Sequence, residues 1–146
     1  MEREATGPGT YILVIELPVG VHVRVGSLGP LDLAAGYYLY VGSALSGLAP
    51  RLARHLRATK RLHWHIDYLL LHGAIREIWY SVDSQRRECA WAGRLAHMPG
   101  ITPFPRRFGA SDCHCPTHLF YSPIKPDPAW FPSLPGESPL HRLVPG

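Results

Sequence analysis

The sequence predicts a small α/β (α+β) fold, a mixed or antiparallel β-sheet flanked by about three helices. Three observations carry that prediction. A length of 146 residues suits one hydrophobic core and is short for two ordinary domains. The stretches TYILVIEL, VHVRV and GYYLYV are rich in β-branched, aliphatic and aromatic residues and are separated by Gly and Pro. From Leu48 onward the apolar residues recur at helical spacing instead.

Thr10 to Leu17 and Val21 to Val25 read as two strands, and the turn-like Pro18 to Gly20 between them predicts a hairpin. Gly36 to Val41 makes a third strand, closed by Gly42. Leu48, Leu52 and Leu56 recur every four residues and predict a helix to Arg57, with Pro50 in the tolerant first turn. Arg51 and His55 share a face beside that stripe. A second helix is expected from Trp64 to His72, ended by Gly73, with Ile66, Leu69 and Leu70 inward. Ala74 to Val82 reads as a fourth strand. A third helix follows, N-capped by Asp83 or Ser84, and Thr117 to Ser122 forms a short last strand. Seven prolines lie beyond Ser122, which predicts an extended tail outside the core. Residues 1–8 thus read as an extension, 9–122 as the domain and 123–146 as a proline-rich tail.

Fifteen Lys and Arg against eleven Asp and Glu give a net charge of +4, unevenly spread. No acidic residue lies between Asp32 and Asp67, where Arg51, Arg54, Arg57, Lys60 and Arg61 accompany His55, His63 and His65. Such a block reads either as a surface for a polyanion or as a solvated basic helix face. On the first reading, Arg54, Arg57, Lys60, Arg61, His63 and His65 contact DNA. No apolar run is long enough to cross a bilayer, and MEREATGPG lacks the apolar core of a signal peptide, so a soluble, cytoplasmic protein without a membrane partner is expected.

The third helix carries an anomaly. Glu88, Trp91, Ala92 and Leu95 fall on one face, which puts a carboxylate within an apolar stripe. A buried carboxylate is costly unless paired or bound to a metal. Two readings stand: a salt bridge to an arginine such as Arg51, or a ligand for a hard cation such as Mg2+.

These residues resemble the GIY-YIG nucleases. Gly9-Thr10-Tyr11 stands like the Gly-Ile-Tyr element, and Tyr40-Val41-Gly42 like Tyr-Ile-Gly. Arg51 on the next helix falls at the family's arginine, His55 one turn later where members carry Tyr or His, and Glu88 at the metal-binding glutamate. The stretches YVGSAL, RLARHLR, LHWHIDYLL, REC and FGASDCHCPTHLFY further resemble a small branch found alone or joined to endonuclease III-like DNA glycosylases. The resemblance implies an endonuclease that hydrolyses phosphodiester bonds in DNA repair or processing, with DNA and a repair glycosylase as partners. It implies Mg2+ or Mn2+ on Glu88, charge stabilisation by Arg51, a proton accepted by Tyr11 or Tyr40, and assistance from His55. Of the phenols in GYYLYVGS, Tyr40 is favoured because it precedes Val41-Gly42, whereas Tyr37 lies on the opposite strand face. A non-catalytic DNA-binding module of the same fold is the alternative.

Three departures from the family accompany the likeness. Val21 to Pro30 lengthens the segment between the tyrosine strands, predicting a wider hairpin or an added strand. The chain has no Asn, so Ser111 or Asp112 would have to replace a late family Asn, and Ser43 stands where some members carry Lys.

A second cluster follows from Cys113, Cys115 and His118, with Cys89 beside Glu88 as a fourth donor. Soft and borderline donors at close spacing suit tetrahedral Zn2+. Reduced thiols in a packed loop are the alternative. His63, His65 and Asp67 form a lesser group that reads as metal or phosphate contacts, or as ordinary surface and core-edge side chains.

Overall fold

Gly9–Leu17 (β1) is buried along both faces, which explains a run of eight residues without strict alternation. It lies in the interior of a six-stranded antiparallel sheet, between Gly36–Ala44 (β4) and Ala74–Val82 (β5). The computed structural model describes residues 6–105, 107–110, 114–131 and 133–145. With Thr102–Pro103 (β6), Leu119–Ser122 (β7) and His141–Leu143 (β8), the sheet order is β6-β7-β4-β1-β5-β8. A separate two-stranded ribbon pairs Val21–Arg24 (β2) with Pro30–Leu33 (β3). Leu48–Leu56 (α1), His65–Leu69 (α2) and Glu88–Ala96 (α3) complete the mixed α+β architecture that the sequence predicts. Among the described residues, no helix is long and apolar enough to cross a membrane.

Period-two alternation divides the sheet residues between two cores. Tyr11, Leu13 and Ile15 join Tyr38, Tyr40 and Ile78 with Leu48 and Leu52 of α1 and Ile66 of α2. Ile12, Val14, Leu39, Val41 and Trp79 face Trp91, Ala92 and Leu95 of α3. The helices therefore cover opposite faces of the sheet. As expected, Tyr38 and Tyr40 share a face while Tyr37 packs on the other core.

The expected first hairpin is corrected. β1 pairs with β4 and β5, whereas β2 folds back on β3, and the lengthened segment between the tyrosine strands supplies this extra ribbon. The ribbon alternates exposed residues with half-buried ones on β2 and buried ones on β3, so it packs one face on the core and leaves the other to solvent. The start of α3 is also later than expected: Arg87 flanks it, and Asp83 instead accepts from the Gln85 backbone N–H in the preceding turn.

The expectation of a tail outside the core is corrected as well. Phe131 is buried against Trp91 with ring centroids 5.1 Å apart, and the Arg94 guanidinium lies 4.5 Å from the Phe131 ring centre. Fully burying such a side chain contributes about 1.5–3 kcal/mol. Glu137 accepts from Arg94 at 2.8 Å and from the Trp91 indole at 3.2 Å. β8 then pairs with β5, where Arg142 grips the buried Glu77 through two hydrogen bonds of 2.8 and 2.6 Å. Lys125 lies 3.1 Å from the same carboxylate. The Arg142 bonds outweigh burial and hold the Glu77 carboxyl down at about 2. Prolines do not prevent this docking because the segment needs few backbone ladder bonds and anchors by side chains.

Candidate active site

Tyr11 sits directly opposite Gly42 in the β1–β4 register. A Cβ on Gly42 would lie 2.5 Å from both Cζ and the hydroxyl of Tyr11. The glycine of Tyr40-Val41-Gly42 is thus the space into which the Tyr11 ring fits, and this gives the pairing of the two short motifs a steric cause. Tyr40, two residues earlier on the same strand face, points into the same region. Gly109 approaches it from the connection before β7, with φ of +69° and room for no Cβ, since one would lie 2.8 Å from Tyr40 Cε1.

Helix α1 leaves the end of β4 through a short turn and buries Leu48, Leu52 and His55. Arg51 consequently flanks the apolar stripe and reaches back to donate to the Ser43 carbonyl at 3.0 Å. Its guanidinium carbon lies 4.6 Å from the centre of the Trp64 ring, and that of Arg54 lies 4.2 Å from it. One indole therefore steadies two arginines. One turn beyond Arg51, His55 Nε2 shares a 2.7 Å hydrogen bond with the Tyr11 hydroxyl.

Glu88 is the first residue of α3, where the helix dipole favours a negative charge. Its whole predicted face is buried: Glu88, Trp91, Ala92 and Leu95. Oε1 accepts from Ser43 Oγ at 2.9 Å and from Arg86 Nε, and Oε2 lies 3.5 Å from His118 Nδ1. The arginine on Glu88 is thus Arg86, and the expectation of Arg51 in that place is corrected. Arg51 is turned toward the β4 carbonyl, while Arg86 comes from the turn just before α3 and reaches the carboxylate two residues on.

Tyr11, Tyr40, Arg51 and Glu88 line one cleft of about 350 Å3, together with Ser43, Trp64, His63, His65, Arg86 and Gly109. Four of the residues singled out by sequence therefore meet in one place, delivered by β1, β4, α1 and α3. His55 lies behind Tyr11, and the residue also borders a second cavity of about 370 Å3. The chain matches, over residues 10–131, the family described as a domain of unknown function, DUF123. It belongs to DUF123. Neither the curated proteins nor the solved structures gave a significant match. The DUF123 match takes in all the cleft residues and extends through Phe131, into the segment that the sequence set apart as a tail.

Burial dominates the electrostatics of this DUF123 cleft. It pushes the Tyr11 phenol up to about 12, with Arg51 pulling down less strongly and Glu88 adding to the rise. Tyr40 is raised well above its ordinary value by burial, then by Tyr11 and Glu88. In the protein alone desolvation outweighs the pull of Arg51 on Tyr11, so the arginine by itself does not bring the phenolate near neutrality. His55 is pushed down to about 3 by burial, which Asp67 only partly opposes, so its ring is neutral at pH 7.

That last shift predicts an acid-side loss of stability. The folded His55 pKa lies below the unfolded value, so the unfolded chain binds the proton first, and stability falls as pH drops from about 6.5 toward 3. Between pH 6.5 and 5, above the carboxylate range, this ring alone is expected to remove about 1.5 kcal/mol. Urea midpoints measured across that window should shift with pH, and His55→Gln should flatten the slope by about one proton. An unchanged slope in the variant would refute the assignment.

The six expected DNA contacts separate into two groups. Arg54 grips the fully buried Asp67 with two hydrogen bonds of 3.0 Å and donates again to the Arg61 carbonyl. Lys60 donates to the carbonyls of His55 and Arg57 at 2.8 Å, closing the end of α1. His65 Nδ1 accepts from the Gly109 backbone at 2.9 Å. These three serve the fold, whereas Arg57, Arg61 and His63 are exposed. Asp67 is also the centre of the small His63, His65 and Asp67 group, and its carboxylate is held by Arg54 and by the backbone N–H groups of His63 and Trp64, not by a histidine ring.

Of the candidate zinc ligands, the Cys89, Cys115 and His118 donor atoms all lie within 4.8 Å of one another. Cys113, like Ser111 and Asp112, lies outside the described residues. Arg86 and Trp64 were missed as site residues by sequence reasoning, and Asp67, singled out as a metal or phosphate contact, is instead the buried partner of Arg54. For Arg86 the available signal was its place in a turn two residues before a carboxylate on a buried helix face.

Proposed function

We propose that this DUF123 chain is a metal-dependent DNA endonuclease of the GIY-YIG type. The observation that carries the reading is the meeting of Tyr11, Tyr40, Arg51 and Glu88, from four separate elements, around one cleft. Single tyrosines and arginines are common in clefts, whereas this combination can supply a cation ligand, a charge stabiliser for phosphate and a proton acceptor in one place.

The donor set suits a hard divalent cation. Glu88 offers an oxygen donor in a cleft wide enough for the waters that Mg2+ retains, and the side chain of Arg86 that holds Oε1 is 54% exposed and able to turn away. Mg2+ or Mn2+ held there by Glu88 would supply positive charge to polarise the phosphate and neutralise the leaving oxygen.

The chain's own residues supply the rest. Arg51, fixed by the Ser43 carbonyl and the Trp64 ring, is oriented to stabilise charge on the non-bridging phosphate oxygens without reorganising. Tyr11 is better placed than Tyr40 to accept the water proton: its hydroxyl is bonded to His55, and Arg51, which lowers both phenols, is the leading opponent of burial at Tyr11 but ranks behind Tyr11 and Glu88 at Tyr40. Neutral His55 takes the hydrogen-bonding role at the far side of that phenol. Since Glu88 is one of the charges that raise Tyr11, neutralising the carboxylate favours the phenolate. Exposed Arg57, Arg61 and His63, with Arg86 in the cleft, provide the cationic surface along which a DNA backbone is expected to run. The likeness to domains joined to DNA glycosylases points to DNA under repair, with a glycosylase as the partner.

The experiment is incubation of nicked, flapped, branched, abasic and single-stranded DNA with the protein in Mg2+, Mn2+ or chelator. Cation-dependent cleavage of at least one of these is expected. Salt-sensitive DNA binding without cleavage under either metal would replace this reading with the non-catalytic module, for which the Arg86–Glu88 pair is the favouring observation.

A further inference from the structure

The second cluster carries an inference independent of the nuclease reading. Cys89 is the second residue of α3, while Cys115 and His118 belong to the turn that enters β7. Cys89 is distant in sequence from the other two, yet the three donor atoms converge within 4.8 Å. A tetrahedral site with Zn–S of about 2.3 Å and Zn–N of about 2.0 Å sets these ligand atoms about 3.5–3.8 Å apart. Closing the remaining gap takes side-chain shifts of about 1 Å, within the reach of a cysteine rotation.

The surroundings are those of a built site. His118 is buried, and its backbone is locked on both sides: its N–H donates to the Phe108 carbonyl at 2.8 Å and its carbonyl accepts from Val41 at 3.0 Å. Cys115 is half-buried and Cys89 exposed, which leaves a route from solvent to the ligands. Beside them a small cavity of about 180 Å3 is walled by Ala92, Gly93, Pro103 and Phe120, an apolar shell that favours thiolate coordination over hydration.

We propose that Cys89, Cys115 and His118 bind a thiophilic divalent metal of the Zn2+ class, and that the ion clamps the start of α3 to the entry of β7. Two thiolates and one imidazole select such an ion over Mg2+ or Ca2+, which prefer oxygen donors. Binding releases one proton from each thiol to solvent and involves no change of oxidation state. The clamp has a target: Cys89 follows Glu88 directly, and the His118 ring lies 3.5 Å from Glu88 Oε2. The bound ion thereby fixes the position of the carboxylate at the edge of the cleft.

The test is titration of tag-free, full-length, reduced protein with Co2+ and Zn2+. One equivalent should bind, with a cobalt spectrum showing thiolate-to-metal charge transfer, and Zn2+ should displace it. Cys89→Ser, at an exposed position where refolding is not at issue, should weaken Zn2+ binding at least tenfold, and Cys115→Ser should abolish the charge-transfer band. Glu88→Gln should leave the spectrum in place, which separates this site from the proposed catalytic cation. Cobalt bound without thiolate charge transfer, or equal Zn2+ affinity in wild type and Cys89→Ser, would overturn the proposal.

Discussion

Glu88→Gln is expected to lower cation-dependent DNA cleavage about a thousandfold while leaving the protein folded. The substitution keeps the size and an acceptor oxygen for Ser43 and Arg86 but removes the charge that would hold a divalent ion. Loss of the cation's contribution to the transition state is worth several kcal/mol, and each 1.36 kcal/mol is tenfold in rate. Stability should change little, because the Arg86 side chain is 54% exposed, its charge pairing is screened by water, and Gln keeps an acceptor. The sign of the effect is informative. The Glu88 charge helps to raise both Tyr11 and Tyr40, so removing it lowers their pKa values. If phenolate formation alone limited the reaction, the variant would cleave faster. A slower enzyme with an unchanged thermal midpoint is the expected result, measured by nicking rate and calorimetry. Equal cleavage by the variant would remove Glu88 from the mechanism.

The largest stability effect is expected at Asp67, a residue with no exposed surface. Its carboxylate accepts from Arg54 through both nitrogens at 3.0 Å and from the backbone N–H groups of His63 and Trp64 at 2.9 Å. Burial would push this carboxyl up, yet the bonds from Arg54, Trp64 and His63 together hold it below the usual range. Asp67→Ala strands Arg54 and two N–H groups at once. Breaking a buried pair from one side costs about 3–5 kcal/mol. Urea unfolding should show a loss of that size, with Asp67→Asn between the variant and wild type because it keeps an acceptor; a loss below about 1 kcal/mol in Asp67→Ala would contradict the account. Since Trp64 starts this turn and steadies Arg51, the same substitution is expected to loosen the cleft. It follows that Arg54→Ala, which the sequence alone suggests as a DNA-binding probe, reports on folding first.

What local pattern controls was legible in the sequence, and what distant partners control was not. The spacing of Leu48, Leu52 and Leu56 set α1 nearly to the residue, and AIREIWYSV coincides with β5. The face of Glu88, Trp91, Ala92 and Leu95 is buried as its periodicity requires. The Gly42 contact with Tyr11 gives those short motifs a physical reason, but only the register of β1 on β4 reveals it. Pairing of β1 with β4 and β5 instead of β2 is a choice between distant partners, on which period-two alternation is silent. The C-terminal segment was misread for the same reason: its anchors are Trp91, Arg94 and Glu77, all far away in sequence. The pairings of Arg86 with Glu88 and of Arg54 with Asp67 escaped because an ion pair leaves no periodic trace.

The central claim is that the cleft presents Glu88 as a cation ligand facing Tyr11 and Arg51. A crystal of the protein soaked in Mn2+ and measured by anomalous diffraction tests it most directly. The account predicts a manganese peak on the Glu88 carboxylate, with Arg86 swung away and Tyr11 and Arg51 across the cleft. Crystals in which Mn2+ leaves that position without a peak and Arg86 stays on Glu88 would contradict it.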